Sequence, residues 1–178
     1  MRLSECAFES NHLRVAEWHS FSTLELQGRT LAQVVTTMLT EPVTRSLPNS
    51  WQGEYTLIRA QTWISERDRE GVTLLAIEKS TSEPAGLVIL FESDAPTGGG
   101  IEVQLGYLLA EAFWGTGLAT ELVEALVTWC RSQPELTSIA GGVERGNVAS
   151  SRVLEKNGFK LVDDTDDAEE QLFRLELR

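Results

Sequence analysis

Apolar and polar residues alternate from position 101 to 109: Ile101, Val103, Leu105, Tyr107 and Leu109 share one face, and Glu102, Gln104, Gly106 and Leu108 the other. This pattern predicts a strand with polar groups on one side only. After a short connector the period changes. Leu118, Leu122, Leu126, Trp129 and Cys130 recur at spacings of three and four, predicting a helix over residues 117–132 that Pro134 ends. Upstream, Leu31, Val34, Val35, Met38 and Leu39 predict a helix over 29–40 that Pro42 stops, and a second helix over 54–67 follows the loop-like Asn49-Ser50-Trp51-Gln52-Gly53. Residues 72–78 and 85–91 read as paired strands, and Gly98-Gly99-Gly100 turns the chain into the strand at Ile101. Beyond the central helix come a strand over 137–143 and a helix from about Val148, which Asn157-Gly158 closes with a left-handed cap. Residues 161–162 and 171–177 form a terminal hairpin. At the other end, 2–8 and 12–18 read as a first strand or hairpin.

Strands and helices alternate with no repeat or linker, so the 178 residues are expected to form one α/β domain over 1–178. Strands joined by short turns must be antiparallel, so its sheet should be mixed but mainly antiparallel. Twenty-seven acidic against fifteen basic residues give a net charge of −12. Such a surface repels nucleic-acid backbones and favours a cationic partner. No apolar run has the length of a membrane span and the first residues lead into no signal peptide, so a cytoplasmic protein without a membrane partner is expected. Cys6 and Cys130 stand alone, as suits a reducing compartment, and neither His12 nor His19 has a second ligand at metal-binding spacing. No metal is expected.

The candidate chemistry lies where the alternating strand gives way to the helix. Trp114-Gly115-Thr116-Gly117-Leu118-Ala119-Thr120 is a glycine loop opening directly into helical sequence. Glycines let the backbone N–H groups approach a bound group, and the first N–H groups of a helix are unpaired and carry partial positive charge. A phosphate is the natural occupant. The loop lacks Gly-x-x-x-x-Gly-Lys, Thr120 stands where a dinucleotide fingerprint needs a third glycine, and five residues, Ala110 to Trp114, separate the strand from the glycines, so neither nucleotide motif fits.

The stretch resembles the acetyl-CoA site of the GNAT superfamily of N-acetyltransferases, in particular its RimJ/RimL-type branch of ribosomal-protein N-terminal acetyltransferases. Leu105-Gly106-Tyr107-Leu108-Leu109 is similar to the family's splayed fourth strand, and Trp114 to Thr120 to its pyrophosphate loop. Asn147-Val148-Ala149-Ser150-Ser151 with Glu155-Lys156-Asn157-Gly158-Phe159 is similar to its second CoA-contacting helix. The resemblance implies a V-shaped sheet flanked by helices and opened between the fourth and fifth strands. It also implies an acetyl group moved from acetyl-CoA to an amine by direct attack, in a monomer or homodimer. Tyr107, Leu108 and Leu109 are expected along the pantetheine, Gly115, Thr116, Gly117, Leu118, Ala119 and Thr120 at the pyrophosphate, and Asn147 on the cofactor. A backbone N–H near Leu108 would meet the carbonyl oxygen as it gains charge.

Two departures stand out. Trp114 replaces the usual Arg or Gln, and Leu154 occupies the place of a tyrosine that in many members protonates the leaving thiolate. Ser150 is then the candidate acid, and Glu102, Glu144 or a water relay the candidate base. The early helices are expected to wall the acceptor site, with Trp51, Tyr55, Arg59 and Trp63 as candidate contacts. The acidic run over 163–170 lies beside its expected entrance and implies a cationic acceptor, either a peptide N-terminus or a small amine. A catalytically silent acyl-CoA-binding domain and an aminoglycoside-type antibiotic-modifying enzyme are the alternatives.

Overall fold

The computed structural model describes residues 3–96, 99–163 and 170–178. Its strands are β1 (Phe8–Glu9), β2 (Leu13–Glu17), β3 (Val72–Glu78), β4 (Pro84–Asp94), β5 (Ile101–Leu109), β6 (Leu136–Glu144), β7 (Lys160–Asp163) and β8 (Glu170–Glu176). Its α-helices are α1 (Leu31–Met38), α2 (Glu41–Thr44), α3 (Leu57–Glu70), α4 (Leu118–Arg131) and α5 (Val148–Lys156). All eight strands lie in one sheet, in the order β1-β2-β3-β4-β5-β6-β8-β7. Every neighbouring pair is antiparallel except β5 and β6, whose connection through α4 makes them parallel.

Helices cover both faces, and the alternation along each strand divides the core. Leu74, Ala76, Val103, Leu105 and Leu109 pack with Leu122, Leu126 and Cys130 of α4 and Leu154 of α5. Leu75, Ile77, Ile89 and Leu108 pack with Val34, Val35 and Met38 of α1 and Ala60, Trp63 and Ile64 of α3. Tyr107 lies against the first cluster, as its place in the alternation requires.

Pairing of β5 with β6 runs only from Ile101 opposite Leu136 to Gln104 opposite Ala140. Beyond that point β5 stays with β4 and β6 stays with β8, so residues 105–109 and 141–144 form two arms of a wedge. This is the V-shaped sheet expected between the fourth and fifth strands; the two-residue β1 raises both of their numbers by one.

Three local expectations need correction. The first strand takes in only Phe8 of the segment expected to form it: Leu3–Glu5 is a 3-10 turn, with Cys6 N–H bonded to the Leu3 carbonyl at 2.9 Å. Leu3 and Cys6 are both buried, and a spacing of three puts them on one side of a helical turn but on opposite faces of a strand. Pro42 does not simply end α1; it occupies the first turn of the separate helix α2, where its missing N–H costs no bond. Helix α3 begins at Leu57 rather than Glu54, because the Thr56 side chain caps it by accepting from Arg59 N–H at 3.2 Å.

Candidate functional site

The wedge exposes backbone. Ala110 N–H bonds the Ala85 carbonyl on the β4 side, and Ile101 N–H bonds the Glu135 carbonyl on the β6 side. Alternation from these two points turns the N–H and C=O of Gly106 and Leu108 toward β4, and those of Leu105, Tyr107 and Leu109 toward the β6 arm. A Cβ added to Gly141 would lie 3.2 Å from the Leu105 oxygen, which agrees. Past Gln104 no strand among the described residues pairs with this side of β5, so Tyr107 and Leu109, the residues flanking Leu108, present the N–H groups that face the opening.

Beyond the end of the β5 arm, Glu111–Phe113 makes one 3-10 turn before the glycine loop. Trp114 anchors that loop: its indole Nε1 donates to the Leu109 carbonyl at 2.9 Å, and the Thr116 hydroxyl donates to the Phe113 carbonyl at 2.6 Å. Gly115 and Gly117 have φ of 71° and 85°, in the left-handed region that favours glycine, and a Cβ at either would meet nothing within 4 Å. Gly117 is the N-cap of α4, and no side chain caps the helix. Glu121 N–H is the first to bond within it, to the Gly117 carbonyl at 3.2 Å, and among the described residues the N–H groups of Leu118, Ala119 and Thr120 have no hydrogen-bond partner. A fourteen-residue helix ending in unpaired donors and an open glycine cradle fits a phosphate group.

Helix α5 closes the other side. The Asn147 side chain caps it, accepting from Ser150 N–H at 3.2 Å, and Asn157 Nδ2 donates to the Thr120 carbonyl at 3.2 Å, joining α5 to the first turn of α4. Among the described residues the Ser150 hydroxyl has no hydrogen-bond partner, while its carbonyl accepts from the Tyr107 hydroxyl at 3.4 Å. Burial pushes the Tyr107 phenol above its ordinary range, against a smaller opposing effect of that hydrogen bond. Leu154 is buried on the same helix, its Cδ1 3.7 Å from where a Gly141 Cβ would stand.

Asn147, Ser150 and Tyr107 therefore meet at the wedge, and Gly115 to Thr120 lie at the head of α4. Glu102 stands apart, at the closed end of the wedge. Its carboxylate accepts from Arg174 Nε at 2.6 Å, Ser138 Oγ at 2.8 Å and Gln104 Nε2 at 2.9 Å, and only 4% of its side chain is exposed. Burial alone would raise its pKa, but the hydrogen bonds and charge of Arg174, with Ser138 and Gln104, outweigh burial and hold it below the ordinary value. A carboxylate held this way is a poor proton acceptor. Glu144 is exposed at the tip of β6, opposite Glu170 of β8.

Sequence reasoning missed Arg174 and Ser138. A charged residue inside the apolar pattern Leu172-Phe173-Arg174-Leu175 was the available signal. The expected acceptor contacts are largely spent on structure. Tyr55 and Trp63 are buried in the second core, and Arg59 bonds the carbonyls of Gln52 and Glu54 at 2.6 and 2.7 Å, bracing the loop before α3. Within the acidic run, residues 164–169 lie outside the described residues. Among the described residues no cluster of three or more His, Cys, Asp or Glu could hold a metal ion, and no helix is long and apolar enough to cross a membrane.

Comparison with known proteins adds three findings. Residues 23–160 match the family model described as acetyltransferase (GNAT) domain. No curated protein matches the chain. Among solved structures it is similar to the acetyltransferase (GNAT family) from Bacillus anthracis, at 13% identity over 97% of this chain and 99% of that one, with a TM-score of 0.74. It is also similar to RimL, the ribosomal L7/L12 alpha-N-protein acetyltransferase in complex with coenzyme A, at 20% identity over 94% and 95% of the two chains, with a TM-score of 0.68. The acetyltransferase from Agrobacterium tumefaciens str. C58 is similar at 19% identity over 98% and 96%, with a TM-score of 0.66. At these identities the structural likeness speaks for the fold.

Proposed function

Since the chain belongs to the acetyltransferase (GNAT) domain family, we propose that it binds acetyl-CoA in the wedge and moves the acetyl group directly to a cationic primary amine. The observation that carries this reading is the alignment of two donor sets: the outward N–H groups of the β5 arm, and the uncapped head of α4 with its open glycines. Acetyl-CoA supplies an activated thioester and a pyrophosphate that needs donors. The N–H groups of Leu118, Ala119 and Thr120 hold the pyrophosphate, and Tyr107 and Leu109 hold the pantetheine. One of those two β5 N–H groups, rather than that of Leu108, stabilises the carbonyl oxygen as charge develops on it.

Protons follow from the same geometry. The departing thiolate takes its proton where the first turn of α5 meets the β5 arm, at which two hydroxyl-bearing residues stand, Ser150 and Tyr107. The amine loses its proton to Glu144, which has an open path to solvent, or to water. Glu102 is a positioning residue, bound too firmly by Arg174 to serve as base. The net charge of −12 favours a cationic acceptor. The described function of RimL, acting on a ribosomal-protein N-terminus, supports a peptide N-terminus as one such amine.

The test is a melting experiment followed by an acceptor screen. Acetyl-CoA at a hundred times its Kd should stabilise the protein by about 2.7 kcal/mol. Gly117→Val, confirmed as folded by circular dichroism, should lose that response. Thiol release should then be measured with N-terminal peptides, polyamines and free amino acids. An unchanged melting temperature at saturating acetyl-CoA overturns the cofactor assignment, and a neutral or anionic best acceptor overturns the acceptor class.

A further inference from the structure

Tyr107 is rooted on the β5 arm, past the last residue that pairs with β6, yet its hydroxyl reaches the first turn of α5, which follows from the β6 arm. Its ring therefore crosses the wedge. Among the described residues the hydroxyl has one hydrogen bond, to the Ser150 carbonyl, and 3.4 Å is long against a usual ~2.8 Å for O–H···O contacts. Such a bond costs little to exchange for another acceptor. The hydroxyl also keeps its proton at neutral pH, because burial disfavours the phenolate. Leu154 carries no proton to give, and an alcohol such as Ser150 is a weaker acid than a phenol.

Resting on the acetyl-CoA reading above, we propose that Tyr107 is a catalytic residue whose hydroxyl leaves the Ser150 carbonyl to bond and protonate the departing sulfur. As the bond from the acceptor nitrogen to the carbonyl carbon forms, the carbon–sulfur bond breaks and its electron pair goes to sulfur. The phenol proton moves to that sulfur. The proton shed by the acceptor nitrogen returns through water to the phenolate, so the residue ends as it began. The role belongs to the side chain of Tyr107, separate from the N–H that its backbone offers.

The test uses Tyr107→Phe, which keeps the ring and removes only the hydroxyl. Calorimetry with CoA and with desulfo-CoA, which lacks the sulfur, should show the wild type preferring CoA by about threefold to tenfold, the range for one neutral hydrogen bond. Tyr107→Phe should lose that preference, while Ser150→Ala keeps it. In turnover, Tyr107→Phe should lower kcat by about tenfold to a hundredfold and leave the KM for acetyl-CoA within about twofold. Fluorotyrosine at position 107, a stronger acid, should restore kcat near neutral pH and bring an alkaline limb into the kcat profile that a merely packed ring would not produce. If Tyr107→Phe keeps both the sulfur preference and wild-type kcat, the proposal is overturned while the cofactor reading stands. If the wild type binds neither CoA nor desulfo-CoA, both fall together.

Discussion

The Glu102 carboxylate shows how much of a residue's character comes from its neighbours. Its three partners come from β5, β6 and β8, and those on β6 and β8 stand 36 and 72 residues away in the chain. Alternation in the sequence put Glu102 on the polar face of its strand, but nothing in the local pattern told a free carboxylate from a clasped one. Glu102→Gln should destabilise the protein by about 2 to 3 kcal/mol, under the 3 to 5 typical of a fully buried pair, since a fifth of the Arg174 side chain remains in water. Urea denaturation would measure this, and Glu102→Gln raised in turnover rather than lowered would contradict the positioning role. The two cysteines take their character from burial. Both are buried and free, and burial drives each thiol upward, Cys130 to about 12. Since the thiolate is the reactive form, neither should react with a thiol reagent at neutral pH until the chain is unfolded. Rapid labelling of the native protein would show that the first core opens.

Among the elements, those with a strong period and a firm end signal were legible, and the short ones were not. β3 and β5 have the bounds expected from the sequence, and α4 and α5 end within a residue of expectation. The cap of α5 is the clearest: Gly158 has φ of 85°, and Phe159 N–H bonds the Leu154 carbonyl at 3.1 Å. The N-terminal turn was missed because one buried pair, Leu3 and Cys6, is too few residues to fix a period. The outward turn of the Tyr107 and Leu109 N–H groups was equally invisible, because it depends on which β4 residue faces which β5 residue. That register can be tested from β4. A Cβ on Gly86 would lie 2.4 Å from the Leu108 oxygen and 2.6 Å from Leu109 Cδ2. Gly86→Ala should therefore push the β5 arm out of line, costing about 1 to 3 kcal/mol in stability and weakening acetyl-CoA binding beyond what that cost explains. Calorimetric titration of the folded variant checks this. Unaltered affinity would mean that the arm tolerates displacement. At α5, Asn147→Ala should cost about 1 kcal/mol for loss of the cap alone.

Across the whole molecule, acid should act through a small set of carboxylates. Hydrogen bonds from Thr81 and Ser80 hold Glu78 at about 2, and those from Ser22 and Arg14 do the same for Glu25. Glu102 and Glu121 are also lowered, because hydrogen bonds outweigh burial. Each folded pKa lies below the ordinary 4.5, so the stability these groups contribute is complete above that value and is lost as pH falls toward about 2. Denaturation midpoints should stay level from pH 7 to about 5 and then decline. A decline that begins near neutrality would point to other groups. The overall architecture was legible because alternating strands and helices with an intervening glycine loop leave few arrangements. The insertion of β8 between β6 and β7 was not, since no local signal says which earlier strand a late one will join. That insertion bears on biosynthesis. A ribosome releases β6 well before β8, so the nascent chain carries β6 with a bare edge and Glu102 without Arg174 until β8 emerges. The first half of the sheet can assemble during translation. The clasp that closes the wedge waits for β8, and in that interval the open edge of β6 is where a chaperone would protect the chain from pairing with a neighbour.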